Sequence, residues 1–265
     1  MAQQKGHVSY VGTLGEVRHF KIKGQQGFYA GLKGGPSAER VKNGAEFVRT
    51  RENNNEFGGC AKFGRNIRYT FPGLIRNLGD SKVGNRLLKA SKKINLGDAI
   101  GVRGYREIAL TKNQSVLKGM DLNIETPLDS VVKLKFNLET VSRTEAVLSL
   151  DQFCAIDNLT IPRGATHFRF VLALGVVSDY AFDRTSESYQ PLNEQDNGQS
   201  KVVYTDYLSS RSIVNALTLE CRLSNSVIGA NSSALQLVGI EFYQLSGTEF
   251  YPLGNGNALK IIQVV

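Results

Sequence analysis

The chain has 265 residues, a hydrophobic share of 41% and a formal net charge of +8. That length suits one large β-rich domain or two smaller ones. No run approaches the roughly 18 apolar residues that a membrane helix needs. Three scattered cysteines, Cys60, Cys154 and Cys221, exclude a disulfide framework.

The charge is unevenly placed. Residues 1–106 carry 20 Lys and Arg against 7 Asp and Glu, whereas residues 107–265 carry 12 against 17. A chain polarised in this way binds a polyanion, or binds copies of itself, basic end to acidic end. The start, Met1-Ala-Gln-Gln-Lys-Gly-His7, has no apolar h-region. The expectation is a cytoplasmic protein without membrane insertion, released only by lysis or a dedicated export route.

Residues 1–35 read as a β-ribbon. Short β-branched and aromatic runs at His7–Gly12, Glu16–Lys23 and Gly27–Lys33 are punctuated by Leu14-Gly15 and Gly24-Gln-Gln-Gly27. A ribbon this thin is not stable alone and must lie on other protein.

Residues 36–104 read as a basic helical segment. Ser37 suits a helix N-cap. From Glu46 to Phe71 the pattern is helical, and Phe57, Cys60, Ala61, Gly64, Ile67 and Phe71 share one arc. The small residues there invite close approach of another backbone, while Arg68 falls awkwardly inside the same arc. Arg49 and Arg51 lie among Glu46, Glu52 and Glu56. That density suits either specific ion pairs or ordinary i,i+3 and i,i+4 pairing on a helix surface. Pro72 ends the helix. In the next helix, Ser81–Ile94, Val83, Leu87, Ala90 and Ile94 form a buried stripe. Lys82, Arg86, Lys89 and Lys93 recur one position earlier as a cationic stripe.

Residues 105–265 read as an antiparallel β-sandwich. Expected strands are 105–110, 115–122, 131–138, 144–150, 166–174, 201–207, 216–223, 235–245 and 259–265. The alternation in Val132-Lys-Leu-Lys-Phe-Asn-Leu138 predicts one wet face. The wholly apolar Phe170–Val177 predicts a central strand or one at a contact. The polar stretch 183–200 reads as a long loop. The apolar Ile261-Ile-Gln-Val-Val265 predicts pairing within the sheet or with a neighbouring subunit. The class is thus α+β, mainly β.

No nucleophile elbow, phosphate-binding glycine loop or His/Cys metal spacing is present. The three histidines (His7, His19 and His167) read as hydrogen-bonded structural groups. The acidic runs Asp121/Glu125/Asp129 and Glu194/Asp196 lack the spacing of a calcium loop and read as solvated turns. The sequence implies no enzyme, no catalytic residue, no metal and no cofactor.

The basic helices leave three readings open: a contact with another subunit, a solvated face, or nucleic-acid binding. Arg65 and Arg68 join Lys82, Arg86, Lys89 and Lys93 as the candidate contact residues. The leading expectation is a structural subunit that self-assembles into a filament, tube or shell. The alternatives are a nucleic-acid-binding protein using the basic helices, and a sandwich that binds carbohydrate or another ligand at the 183–200 loop.

Several blocks carry a resemblance: Gly34-Gly-Pro-Ser-Ala-Glu-Arg40, Phe47-Val-Arg-Thr-Arg-Glu-Asn53, Glu56-Phe-Gly58, Ile161–Phe168, Val238–Gln244 and Tyr251–Asn257. In this order they resemble a family of uncharacterised Bacteroidota proteins. The resemblance implies a bacterial protein with one integrated fold and carries no functional residue.

Overall fold

The computed structural model describes residues 2–32, 34–225 and 227–265. Lys33, expected to close the third N-terminal run, lies outside them, as does Met1. The chain forms two compact units, one extending to Arg51 and the other Glu52–Val265. The expected divisions fall instead at 35/36 and 104/105.

The first unit is a four-stranded antiparallel sheet. β1 (Ala2–Gln3), β2 (Gly12–Leu14), β3 (Val17–Phe20) and β4 (Tyr29–Leu32) lie in the order β1-β4-β3-β2. The Leu14-Gly15 break becomes a hairpin turn, with Leu14 opposite Val17 and Gly15 at φ 59°. Glycine adopts this left-handed conformation without a steric penalty. His19 bridges the sheet: the Gln4 amide donates to Nδ1 at 2.7 Å, which leaves Nε2–H to donate to the Tyr10 oxygen at 2.9 Å. Ser37 caps α1 (Ala38–Asn43) by accepting from the Arg40 N–H at 3.2 Å. Among the described residues up to Arg51, none is buried.

The second unit begins with α2 (Val48–Thr70), whose first turn straddles the boundary, followed by α3 (Leu74–Leu78) and α4 (Val83–Leu96). Next come α5 (Leu128–Val131), β5 (Phe136–Ser142), β6 (Glu145–Leu150), β7 (Phe153–Cys154) and α6 (Ala155–Asn158). The long β8 (His167–Ser178) precedes the hairpin β9 (Tyr180–Asp183) and β10 (Ser188–Pro191). Then follow β11 (Ser200–Tyr204), β12 (Leu208–Ser209), β13 (Ile213–Val214), β14 (Leu217–Arg222), β15 (Ser232–Ser246), β16 (Glu249–Pro252) and β17 (Ala258–Val264).

These elements stack in three layers. The middle layer is an antiparallel sheet built on the β8–β15 pair, with β11 and β12 along one side and β16 and β17 along the other. Because side chains alternate across a strand, β8 feeds two cores. Val171, Ala173 and Val177 pack towards Phe63, Ile67, Phe71, Leu87 and Ile94 of the helices. Phe168, Phe170, Leu172, Leu174 and Val176 pack towards Leu148, Leu150, Leu219 and Cys221 of the β14-β6-β5 sheet. A strand buried on both faces must be apolar throughout, which is the pattern of Phe170–Val177. Gly175 interrupts it where α2 ends. A Cβ there would lie 2.5 Å from the Phe71 ring, so glycine allows that ring onto the sheet.

Several expectations change. The buried face of α2 is Glu56, Gly59, Cys60, Phe63, Gly64, Ile67 and Thr70. It is rotated from the expected arc, which leaves Phe57 59% exposed and Arg68 on the surface. The expected close approach at Gly64 is present: an added Cβ would lie 3.4 Å from the Leu87 and Leu88 backbone of α4. Segments 105–110 and 115–122 are not strands. Ile108 makes one bridge to Tyr180 and Asp121 one to Lys260, and the rest is turn and 3-10 helix. The 183–200 stretch is mostly turn and bend, but within it Ser188–Pro191 pairs with β9 and buries Tyr189. Leu128–Val131 is a short helix before β5. The wet face of residues 132–138 is present, with Lys133, Lys135 and Asn137 exposed.

The apolar C-terminal strand is paired within its own sheet. β17 runs beside β15, with Leu237 opposite Ile261. Its other edge is covered by residues 119–122: Gly119 N–H donates to the Ile261 carbonyl at 2.8 Å, and Leu122 N–H to that of Leu259 at 2.8 Å.

Candidate functional site

The second unit holds a groove of about 820 Å³ walled by α2, α3 and the first half of α4. Its geometry follows from local breaks in the chain. Pro72 cannot continue α2, and Gly73, at φ 81°, turns the chain into α3. Ile75 and Val83 are buried and lie at the groove. Arg65 and Arg68, four and seven residues after Ala61 on α2, reach the same groove as Arg76 of α3. Gly84 keeps the first turn of α4 low: a Cβ there would sit 3.5 Å from an Arg68 terminal nitrogen. Lys82, the N-cap of α4, makes no side-chain bond to that turn.

The groove is cationic because its one acidic lining residue among those described is already neutralised. Asp80 receives Arg86 on both oxygens, at 2.9 and 2.8 Å, and accepts the Lys82 and Ile124 N–H groups at 2.7 and 2.9 Å. The Arg86 guanidinium, against the opposing effect of burial, holds the Asp80 carboxyl down to about 2. Among the described residues, no carboxylate ion-pairs with Arg65, Arg68 or Arg76.

The expected contact residues therefore separate. Arg65 and Arg68 share the groove with Arg76. Lys82, Lys89 and Lys93 are exposed and are not among its lining residues. Arg86 leaves the cationic stripe altogether: besides Asp80, it donates to the Leu122 carbonyl at 3.0 Å. It locks the 121–124 segment to the helices. Nothing in the spacing of the stripe distinguishes it from the three lysines, because the carbonyl it reaches lies 36 residues away in the chain.

The dense charges at the start of α2 are structural. Glu56 is buried, bonds Lys92 of α4, accepts the Gly104 N–H at 2.8 Å and lies 3.6 Å from Arg106. Burial raises its proton affinity, but these cations and the Gly104 amide outweigh it and hold the carboxyl below its ordinary range. Arg103 pairs with Glu52 at 3.5 Å and donates to Asn53 at 3.0 Å. Arg51 donates to the Val41 and Gly44 carbonyls at 2.9 and 2.7 Å. The acids Glu52 and Glu56 thus clasp residues 103–106, a specific ion-pair arrangement of the kind considered. Cys60 lies on the same face, where burial pushes its thiol up to about 12 and removes it as a nucleophile.

A second polar cluster sits on the central sheet. The Arg169 guanidinium lies 3.8 Å from the Tyr204 ring centroid and donates to Glu241 at 2.7 Å. The Tyr243 hydroxyl donates to the same Glu241 oxygen at 2.6 Å. Burial, then that carboxylate, raises the Tyr243 phenol. His167 stands edge-on to Phe250 and bonds the Thr166 hydroxyl at 3.0 Å. The cation and the anion of this cluster satisfy each other.

The acidic runs are also engaged. Asp129 bonds Lys260 at 2.6 Å, Asp121 accepts the Leu128 N–H at 2.9 Å, and Asp196 accepts the Gly229 N–H at 2.6 Å. Among the described residues, no group of three or more His, Cys, Asp or Glu side chains is placed to hold a metal ion. Among those residues, no helix is long and apolar enough to cross a membrane. The chain matches no protein-family model and no curated protein.

Proposed function

We propose that this protein is a non-enzymatic structural subunit that assembles with copies of itself into a filament, tube or shell. The observation that carries this reading is the N-terminal sheet without a buried side chain. A small sheet with no fully buried side chain is not sustained in isolation. Val8, Val11, Leu14 and Leu32 are 79, 63, 69 and 78% exposed, so apolar surface is available for cover. β2 bonds only β3 among the described residues, and its free edge suits an added strand.

Charge argues that the cover is a second copy. Residues 1–51 carry 9 Lys and Arg against 3 Asp and Glu, opposite in sign to residues 107–265. Contact between unlike surfaces is head-to-tail and builds an open polymer unless the rotation closes. Light scattering of the full chain at tens of micromolar is expected to give particles many times the 29.1 kDa of one chain. They should shrink as salt screens the contact. A monomer at both low and physiological salt ends the reading.

Nucleic-acid binding along α4 is the second reading, favoured by the exposure of Lys82, Lys89 and Lys93. It predicts a gel shift that weakens steeply with salt and disappears when the three are changed to Glu.

A further inference from the structure

We propose that the groove between α2, α3 and α4 binds a small phosphate-bearing ligand, of the class of a nucleoside di- or triphosphate. The proposal does not rest on the assembly reading, since the groove lies wholly within the second unit.

Three guanidiniums, Arg65, Arg68 and Arg76, reach one opening without an ion-pair partner among the described residues. Guanidinium is the side chain whose planar fork matches phosphate oxygens two at a time. Three of them call for a ligand with two or more negative charges. The acid at the groove, Asp80, is held ionised by Arg86 and by backbone amides, so it neither competes for the three arginines nor repels an anion at full strength. Arg68 lies over Gly84 in the opening turn of the 14-residue α4. The partial positive charge of that helix end adds to the guanidinium field.

Volume and placement set the size of the ligand. About 820 Å³ is the scale of a pocket for one small organic molecule. A nucleic-acid strand needs cations that follow its backbone over several nucleotides. Lys82, Lys89 and Lys93 are not among the residues that line the groove. Tyr69, on the groove wall and 71% exposed, presents an aromatic face on which a base can stack. Phosphates on the arginines and a base on Tyr69 together describe a nucleotide.

The test is calorimetry of the full chain with three probes: inorganic pyrophosphate, ADP and a twelve-residue oligothymidylate. Pyrophosphate and ADP are expected to bind, and the R68Q/R76Q double variant to weaken both by at least about tenfold. Tyr69→Ala is expected to weaken ADP and leave pyrophosphate unchanged. Circular dichroism melting of each variant, unchanged from the parent chain, establishes that the fold is intact. Binding of neither pyrophosphate nor ADP at about 5 mM overturns the proposal. So does binding that the double variant leaves unchanged. If the oligothymidylate binds far more tightly than ADP, the groove belongs to a strand and the small-ligand assignment falls.

Discussion

The unit that ends at Arg51 and the unit that begins at Glu52 are built from similar strands and stabilised differently. In the first, Phe20 and Tyr29 stack at 6.3 Å, His19 ties Gln4 to Tyr10, and no described side chain is buried. In the second, helices and strands feed two cores that share the β8–β15 pair. Hairpin geometry and turn chemistry set the strand pairing of the first without stabilising it alone, whereas burial fixes the second. The contrast teaches that backbone pairing alone does not signal an independently stable fold.

Truncating a core residue of the second unit gives the largest effect. Phe71→Ala empties the space above Gly175, and loss of about 3–5 kcal/mol is expected in urea unfolding. A loss below about 1 kcal/mol would mean that the helical layer is loosely held.

Acid gives the next largest effect. The folded Asp80 carboxyl, at about 2, lies below its ordinary value of 3.8. The stability it contributes is therefore complete above that ordinary value and is lost as pH falls from about 4 towards 2. Relative to the parent chain, Asp80→Asn should remove on the order of 2 kcal/mol of the stability change across that window. Parallel stability curves for the two proteins would show that Arg86 does not hold this loop.

The smallest effect belongs to the first unit. Leu14→Ala, at a side chain 69% exposed, should change the stability of the dispersed chain by less than about 0.5 kcal/mol. The same substitution should reduce particle size in light scattering. A large stability change with unchanged particles would place Leu14 in a core and weaken the contrast between the units.

Much of the second unit is legible in the sequence where one periodicity dominates. α4 declares itself through Val83, Leu87 and Ile94, all buried, and β8 through its unbroken apolar run. α2 is read with its face rotated because polar and small groups, Glu56, Gly59 and Thr70, occupy buried positions. A carboxylate carries no hydrophobic weight, yet Lys92 and the Gly104 amide make its burial stable. Tyr105–Leu110 and Ser115–Leu122 look like strands because turns can also bury Ile108, Leu110, Leu117 and Leu122. Ser188–Pro191 is missed because its polar residues pair with β9 around a single buried Tyr189. The candidate groove is half legible. Arg65 and Arg68 stand out as cations on a helix, but their meeting with Arg76 depends on α3, a five-residue helix set by Pro72 and Gly73.

Leu172 and Leu174 point into one core, while Val171 and Ala173 between them point into the other. Peeling away either outer layer would therefore wet one side of a strand whose other side is still clamped. The amide hydrogens of β8 should consequently exchange with solvent only when the whole second unit opens. Their exchange rate is a direct gauge of its global unfolding equilibrium, readable from a single strand.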